Sequence, residues 1–409
     1  MVKKIGVDMK KLILIVLFLA SNVIFAQENI DKELYDKALK LLDKIISIDS
    51  HADTPLRFQD STFDISKRND NGCFDLPRME EGKLSAEFFA IFVGNNRDND
   101  NPSELALRYI EHLYKAIEKN KDKVSLAFSP EEVRKLFKAN KKIICIGMEN
   151  GSPLENDFGN LDMFYNLGIR YITLTHSRDN SICDSANDTT ETWGGLSPFG
   201  KELVQRMNEK GVLIDVSHIS DKAFYDVIRL TKAPIAATHS CCRLFSDNVR
   251  NLSDDMIRAL AKNGGVLQLN FYPAYLDGRY DNELEERQRL LNPHIDSLRK
   301  LYQNDQRTFR VELTKLREKY PYPKPVEVDK LIEHIDHVVK LVGVDYVGIG
   351  SDFDGLGVFP KGLEDVSKLP VITYHLLKRG YSEEDIAKIV GGNFLRVWEE
   401  VEKYSKGRF

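Results

Sequence analysis

The 409-residue chain is 42 % hydrophobic and 30 % charged, with a net charge of −5, enough length for one large core or two ordinary ones. Charges of both signs run throughout and form no basic block, which excludes a nucleic-acid binder. Five scattered cysteines (Cys73, Cys145, Cys183, Cys241 and Cys242) exclude a disulfide-dense scaffold. An oxidising compartment leaves room for one bridge, and the odd count leaves at least one thiol unpaired.

The first 26 residues read as a signal peptide. Lys10 and Lys11 precede an apolar run from Leu12 to Ala20, and a cut falls after Ala26. The run is shorter than the ~20 apolar residues a bilayer span needs. The expected product is an exported protein, periplasmic or extracellular, with no membrane span in the mature chain. Removing the leader, with Lys3, Lys4, Lys10 and Lys11 against Asp8, leaves about −8 on residues 27–409.

From there a short apolar or β-branched run, a polar tip and a helical stretch recur. The runs are Ile46–Asp49, Glu87–Val93, Ile143–Gly147, Tyr171–Thr175, Val212–Val216, Pro234–Thr238, Val266–Phe271 and Tyr346–Gly350. Amphipathic segments such as Ser103–Glu118, Gly200–Lys210, Asp221–Thr231 and Asp254–Asn263 lie between them. Runs apolar on both faces that alternate with helices predict a parallel sheet. Eight such units predict a closed (β/α)8, TIM-like barrel. The stretch Asn95–Pro102 reads as a loop opening a helix, and Val328–Val342 as a helix. The charged segment from Leu276 to Lys324 reads as helices with a solvated face. Residues 27–409 are thus expected to form one barrel domain with an elaborated loop around 276–325.

In such a barrel, chemistry gathers at the C-terminal ends of the strands. His51 and Asp53 follow the first run, and strand alternation puts both on one side. Glu149 follows the third run, His176 the fourth, His218 the fifth and His239 the sixth; Asp352 and Asp354 follow the eighth. Any one of these has an ordinary structural use: a satisfied histidine, a turn-capping aspartate, a glutamate accepting backbone N–H groups. Their convergence on one mouth is what independent structural uses do not explain. Three imidazoles and two carboxylates without thiolate suit zinc or a similar divalent ion. Five protein ligands exceed the usual three of one catalytic zinc, so a carboxylate bridging two ions accounts for them. Asp352 and Asp354 share strand parity, and alternation cannot choose between them. Thr175, Ser177 and Ser240 are expected to make only local bonds, and Cys145 to be a buried small hydrophobe.

At these residues the chain resembles the membrane (renal-type) dipeptidase family of zinc peptidases, from about Ile46 to Val401. The motifs that carry the resemblance are Asp75-Leu76-Pro77-Arg78-Met79, Gly195-Leu196-Ser197-Pro198-Phe199-Gly200, Gly211-Val212-Leu213-Ile214-Asp215-Val216-Ser217-His218, Gly348-Ile349-Gly350-Ser351-Asp352-Phe353-Asp354-Gly355 and Gly391-Gly392-Asn393-Phe394-Leu395-Arg396. The resemblance implies two zinc ions, one on His51 and Asp53, the other on His218 and His239, with Glu149 bridging them. It implies that His176 stabilises the scissile carbonyl oxygen, Arg250 binds the substrate carboxylate, and Asp352 contacts the free amino group and shuttles the proton. The implied reaction is hydrolysis of free dipeptides by a metal-bridging hydroxide, with a D-residue allowed at the C-terminal position, in a chain whose relatives are often homodimers. Two departures bear on the pocket: Asn150-Gly151-Ser152 follows Glu149 where Gly-Gly-His is usual, and Glu87 stands where Gln is common.

The nearest alternative is another metal-dependent amidohydrolase acting on a cyclic amide, lactone or acylated amino acid. Such barrels often bridge their metals with a carbamylated Lys, and no Lys stands at the fourth tip here. A non-catalytic peptide receptor would show damage to the ligand set or the proton shuttle, and neither is damaged.

Overall fold

A computed structural model describes residues 30–94, 101–303 and 305–407. The signal-peptide segment and most of the Asn95–Pro102 loop lie outside these residues. Nine parallel strands form one sheet: β1 (Ile48–Ala52), β2 (Ala86–Phe92), β3 (Val124–Leu126), β4 (Lys142–Glu149), β5 (Ile169–Thr173), β6 (Leu213–Asp215), β7 (Ala236–Ser240), β8 (Val266–Leu269) and β9 (Val347–Ile349). Eight of them run in the order β1-β2-β4-β5-β6-β7-β8-β9, and β3 pairs only with β4. The ring closes just past β9, where Ala52 bridges Phe353. There Asp53 N–H donates to the Phe353 carbonyl at 2.8 Å and Asp352 N–H to that of His51 at 3.0 Å. This is the (β/α)8 barrel that the eight apolar runs predict. The extra strand, β3, is three residues long and too short to leave a periodic signal.

Local chemistry starts the helices where the sequence places them. Asn101 accepts from Glu104 N–H ahead of helix Pro102–Lys119, and Ser197 accepts from Gly200 N–H ahead of helix Pro198–Lys210. Ser220 and Ser253 cap the next two helices, Asp221–Leu230 and Asp254–Lys262, in the same way. Each such side chain supplies a partner for an N–H that the first turn leaves unpaired, a contribution of about 1 kcal/mol. Gly211 ends the Pro198–Lys210 helix at φ 79°, a left-handed turn that glycine adopts without cost and that feeds directly into β6.

The barrel floor is aromatic. Phe88 of β2 meets Phe394 and Trp398 of the C-terminal helix Asn393–Lys406 edge-on, with ring centroids 5.1 and 5.2 Å apart, and lies 5.6 Å from Tyr171 of β5. All four are fully buried, each worth roughly 2–3 kcal/mol on transfer from water. The floor is therefore sealed, and a substrate can enter only at the opposite mouth. The 276–325 segment forms two helices, Gly278–Leu301 and Gln306–Lys319; the second buries no residue, as its charge pattern predicts. All five cysteines are unpaired, and Cys145 sits in the core.

Candidate metal centre

The mouth is built from strand tips bent out of regular geometry. In β1 the pairing with β2 slips between Asp49 and Ala52, so a bulge spans the first candidate ligand, His51. The Asp49 Oδ1 atom fixes it, accepting from His51 N–H at 3.3 Å and from Ser351 N–H at 2.8 Å. Asp53 lies just beyond the strand. His51 and Asp53 come together as expected, His51 Nε2 3.7 Å from Asp53 Oδ2, across a tip where the bulge and the following turn interrupt regular pairing. His218 and Asp352 lie past their strands in left-handed backbone, at φ 70° and 65°. Non-glycine residues hold that conformation at a cost of about 1–3 kcal/mol where surrounding structure dictates it.

Glu149, the last residue of β4, is the hub. Its Oε1 lies 3.1 Å from His218 Nε2, 3.4 Å from His239 Nε2 and 3.6 Å from His176 Nε2. Its Oε2 faces the other way, 3.6 Å from His51 Nε2. The Nε2 atoms of His218 and His239 are 2.8 Å apart, and the His51 and His239 ring centroids are 3.8 Å apart with the planes tilted by 37°. Three overlapping triads have donor atoms within 4.8 Å of one another: His51, Glu149 and His239; Glu149, His176 and His218; His51, Asp53 and Asp352.

This donor set fits a divalent cation. Ligands about 2.0–2.1 Å from such an ion lie roughly 2.9–3.4 Å from each other, close to the spacings between Glu149, His218 and His239. The buried atoms His51 Nε2 and Asp53 Oδ1 have no hydrogen-bond partner, and His51 Nε2 faces both Asp53 and Glu149. Electrostatics agree. Burial alone would raise the Glu149 carboxyl, but His51, His176, His218 and His239 hold it well below the usual carboxylate range. Burial opposes charge on His51, yet Tyr171, Glu149 and Asp53 push its imidazole well above its ordinary value. Burial, Arg250 and His176 push His218 well below its ordinary value, and burial and His51 lower His239. Opposite charges are thus favoured on the Glu149 carboxyl and the His51 imidazole, 3.6 Å apart.

Above the cluster opens a cavity of about 690 Å³ whose lining includes Asp53, Glu149, His176, His218, Asp352 and Tyr275. Asp352 is pushed up to about 6 by burial, against the pull of His239 and His51, and its Oδ2 accepts from Asn270 Nδ2 at 2.8 Å. Asp354 lines the same cavity, but both its oxygens are engaged, Oδ2 accepting from Thr54 Oγ1 at 2.8 Å and Oδ1 from Cys73 N–H at 2.7 Å. Arg250 is buried beside the cluster, its Nη2 3.3 Å from the His239 carbonyl and its guanidinium 5.5 Å from the Tyr275 ring. Asn150, where the sequence departs from the family pattern, is fully buried at φ 72°. It brackets the loop by donating to the Val93 carbonyl and accepting from Ser152 and Asn180. Thr175 makes a local bond to the Arg178 carbonyl, as expected, whereas Ser240 Oγ accepts from Arg250 Nη1 at 3.5 Å and donates to Ser217 Oγ at 3.5 Å instead of bonding locally.

Sequence reasoning missed several supporting residues. Tyr171 OH lies 2.9 Å from His51 Nδ1, and Thr238 Oγ1 lies 2.9 Å from His239 Nδ1. Gly355 packs so tightly that a Cβ there would fall 2.2 Å from Asp53 Oδ2 and 2.3 Å from Asp352 Oδ1. The Gly355 signal was available, since it closes the Ser351-Asp352-Phe353-Asp354-Gly355 motif.

The family model for membrane dipeptidases, peptidase family M19, matches residues 35–408. The chain belongs to the membrane dipeptidase family. It is accordingly a metallo-dipeptidase, a hydrolase of peptide bonds. Among relatives of the membrane dipeptidase family, dipeptidase verJ of Clonostachys rogersoniana is 31 % identical over 384 residues, covering 90 % of this chain and 87 % of that protein. The crystal structure of the probable dipeptidase PvdM from Pseudomonas aeruginosa superposes with a TM-score of 0.79 at 32 % identity, over 91 % of this chain and all of that one. A Rhodobacter sphaeroides metallopeptidase, crystallised with a phosphinate mimic of the dipeptide L-Ala-D-Ala, shares the fold at TM-score 0.72 and 24 % identity, covering 87 % of this chain and 99 % of that one.

Proposed function

We propose that this membrane dipeptidase cleaves free dipeptides at two zinc ions, one held by His51 and Asp53, the other by His218 and His239, with Glu149 bridging. The observation that carries this reading is the Glu149 carboxylate itself. Its Oε1 faces His218 and His239 while its Oε2 faces His51, so one side chain serves two donor sets. Bound zinc supplies Lewis acidity, polarising a carbonyl and bringing the pKa of water towards neutrality.

The remaining roles belong to the chain. Asp352 faces the same cavity, and its raised carboxyl pKa suits a group that takes a proton from the attacking water and returns it to the leaving amine. His176, half-buried at the cavity wall with its pKa lowered mainly by burial, donates to the carbonyl oxygen as charge develops there. Arg250 takes the C-terminal carboxylate with its planar fork, and Asp352 takes the free amine. Recognition of both charged ends restricts the substrate to two residues.

Acceptance of a D-residue at the C-terminal position, the configuration in the mimic bound by the R. sphaeroides protein, belongs to the same reading. So does export after cleavage of residues 1–26, to the periplasm or beyond; among the described residues no helix is long and apolar enough to cross a membrane. Residues 27–409 act as one domain, assembled as a homodimer. The test is metal analysis of the purified protein together with a panel of L,L, L,D and D,L dipeptides and their C-terminal amides. Two equivalents of zinc and cleavage of free dipeptides but not amides are expected. No tightly held metal and no cleavage after zinc loading would overturn the proposal.

A further inference from the structure

Beneath the cluster, a buried carboxylate reaches a candidate ligand through one hydroxyl. Asp215 ends β6 fully buried and accepts four hydrogen bonds. Its Oδ1 takes the backbone N–H groups of Ser217 at 3.0 Å and Thr238 at 2.8 Å; its Oδ2 takes the hydroxyls of Thr173 at 2.5 Å and Thr238 at 2.7 Å. A hydroxyl has one hydrogen. With that of Thr238 committed to Asp215, Thr238 Oγ1 can only accept from its other neighbour, His239 Nδ1, 2.9 Å away. His239 must then carry its proton on Nδ1, which leaves the lone pair on Nε2, the atom 3.4 Å from Glu149 Oε1. Ser217 Oγ adds a second tie, accepting from His239 N–H at 3.0 Å. His218 has no such support, since its Nδ1 is buried without a hydrogen-bond partner.

We propose that Thr238, oriented by Asp215, is a positioning residue that fixes the tautomer of His239 and so presents Nε2 to a divalent cation. The inference rests on the proposed reading of His239 as a metal ligand. A partner of this kind on the far ring nitrogen typically governs 10–100-fold in metal affinity. Thr238→Val keeps the shape and removes the acceptor; Thr238→Ser restores it. On the metal-free protein, two-bond ¹H–¹⁵N spectra with labelled histidine, the His239 signal assigned by its loss in His239→Gln, report the tautomer directly.

Wild-type and Thr238→Ser proteins should show the Nδ1-protonated ring, and Thr238→Val should lose it. Zinc affinity, measured by competition with a chromophoric chelator, should fall about 10–100-fold in Thr238→Val and return in Thr238→Ser. An Nε2-protonated His239 in the wild type overturns the inference without any variant, so it stays testable if Thr238→Val does not fold. Equal zinc affinity in wild type and Thr238→Val overturns it while leaving the ligand assignment standing. Equal affinity in wild type and His239→Gln overturns the ligand assignment itself, and the inference with it.

Discussion

Glu87→Gln should stabilise the protein, and by an amount that grows with pH. Glu87 sits on β2 opposite Asp49, fully buried, and neither of its carboxylate oxygens has a hydrogen-bond partner. Burial, and then the adjacent Asp49, push its carboxyl well above the unfolded value of 4.5. The folded chain thus keeps a proton that the unfolded chain releases. The sign follows: stability from this group is complete below pH 4.5 and is lost as pH rises, at about 1.4 kcal/mol per unit, until the folded carboxyl itself ionises. The loss accumulates at that slope over the whole interval between the unfolded value and the raised folded one. Glutamine has no proton to lose, and its amide can donate to Asp49 Oδ2, which also lacks a partner. Asp49 is itself pushed up to about 7, mainly by burial, and an amide donor to it favours its charged form, so its contribution to the difference has the same sign. Urea unfolding from pH 4.5 to 7.5, followed by fluorescence of Trp398 in the barrel floor and run with and without chelator, measures that difference. It should be smallest at the acid end and grow in favour of the variant as pH rises, by at most about 1.4 kcal/mol per unit. A difference that stays flat across that range would refute the reasoning, because Glu87 would then be ionised in the folded protein.

Three further outcomes follow from the cluster. Because Asp352 must be ionised to take a proton and its carboxyl is pushed up to about 6, kcat/KM should fall about tenfold per pH unit below that value. Asp352→Asn should cost about 10²–10⁴ in kcat, and a rate flat down to pH 5 would exclude Asp352 as the base. Asp354→Asn should keep kcat and KM within a few-fold while lowering stability by about 1–3 kcal/mol, since Asp354 serves Thr54 and Cys73; steady-state kinetics and urea melts check both halves. Gly355→Ala would drive a methyl group into Asp53 and Asp352, so it should lower both kcat and bound metal, read by turnover and elemental analysis.

The barrel was legible because eight apolar runs alternate with amphipathic stretches, and burial on both faces writes that alternation directly into sequence. The ligand set was legible for a related reason: strands of one sheet end at one mouth, so residues far apart in the chain can be grouped by position alone. What failed was every inference that needed backbone detail at the tips. The bulge that spans His51 and the left-handed turns at Asp352 and Asp354 interrupt the two-residue period, so parity alone could not decide between the two aspartates. The supporting bonds of Tyr171 and Thr238 depend on which hydroxyl meets which ring nitrogen, and no spacing encodes that.

Two aspartates placed just before candidate ligands show how the irregular tips are held. Asp49 precedes His51 by two residues and Asp215 precedes His218 by three; each is buried and each gathers two backbone N–H groups on a single oxygen. Asp49 ties the tip of β1 to the segment after β9, where the barrel closes, and Asp215 ties the tip of β6 to β7. Bulges and left-handed turns release N–H groups from the strand ladder, and a buried N–H without a partner costs about 1–3 kcal/mol. A carboxyl oxygen beneath each bend meets that demand. The irregular backbone that places His51, His218 and Asp352 at the mouth is therefore offset by buried aspartates behind the ligands. Removing either aspartate should disturb metal binding and folding together, which is why the hydroxyl of Thr238, rather than Asp215 behind it, is the position at which ligand orientation can be separated from fold.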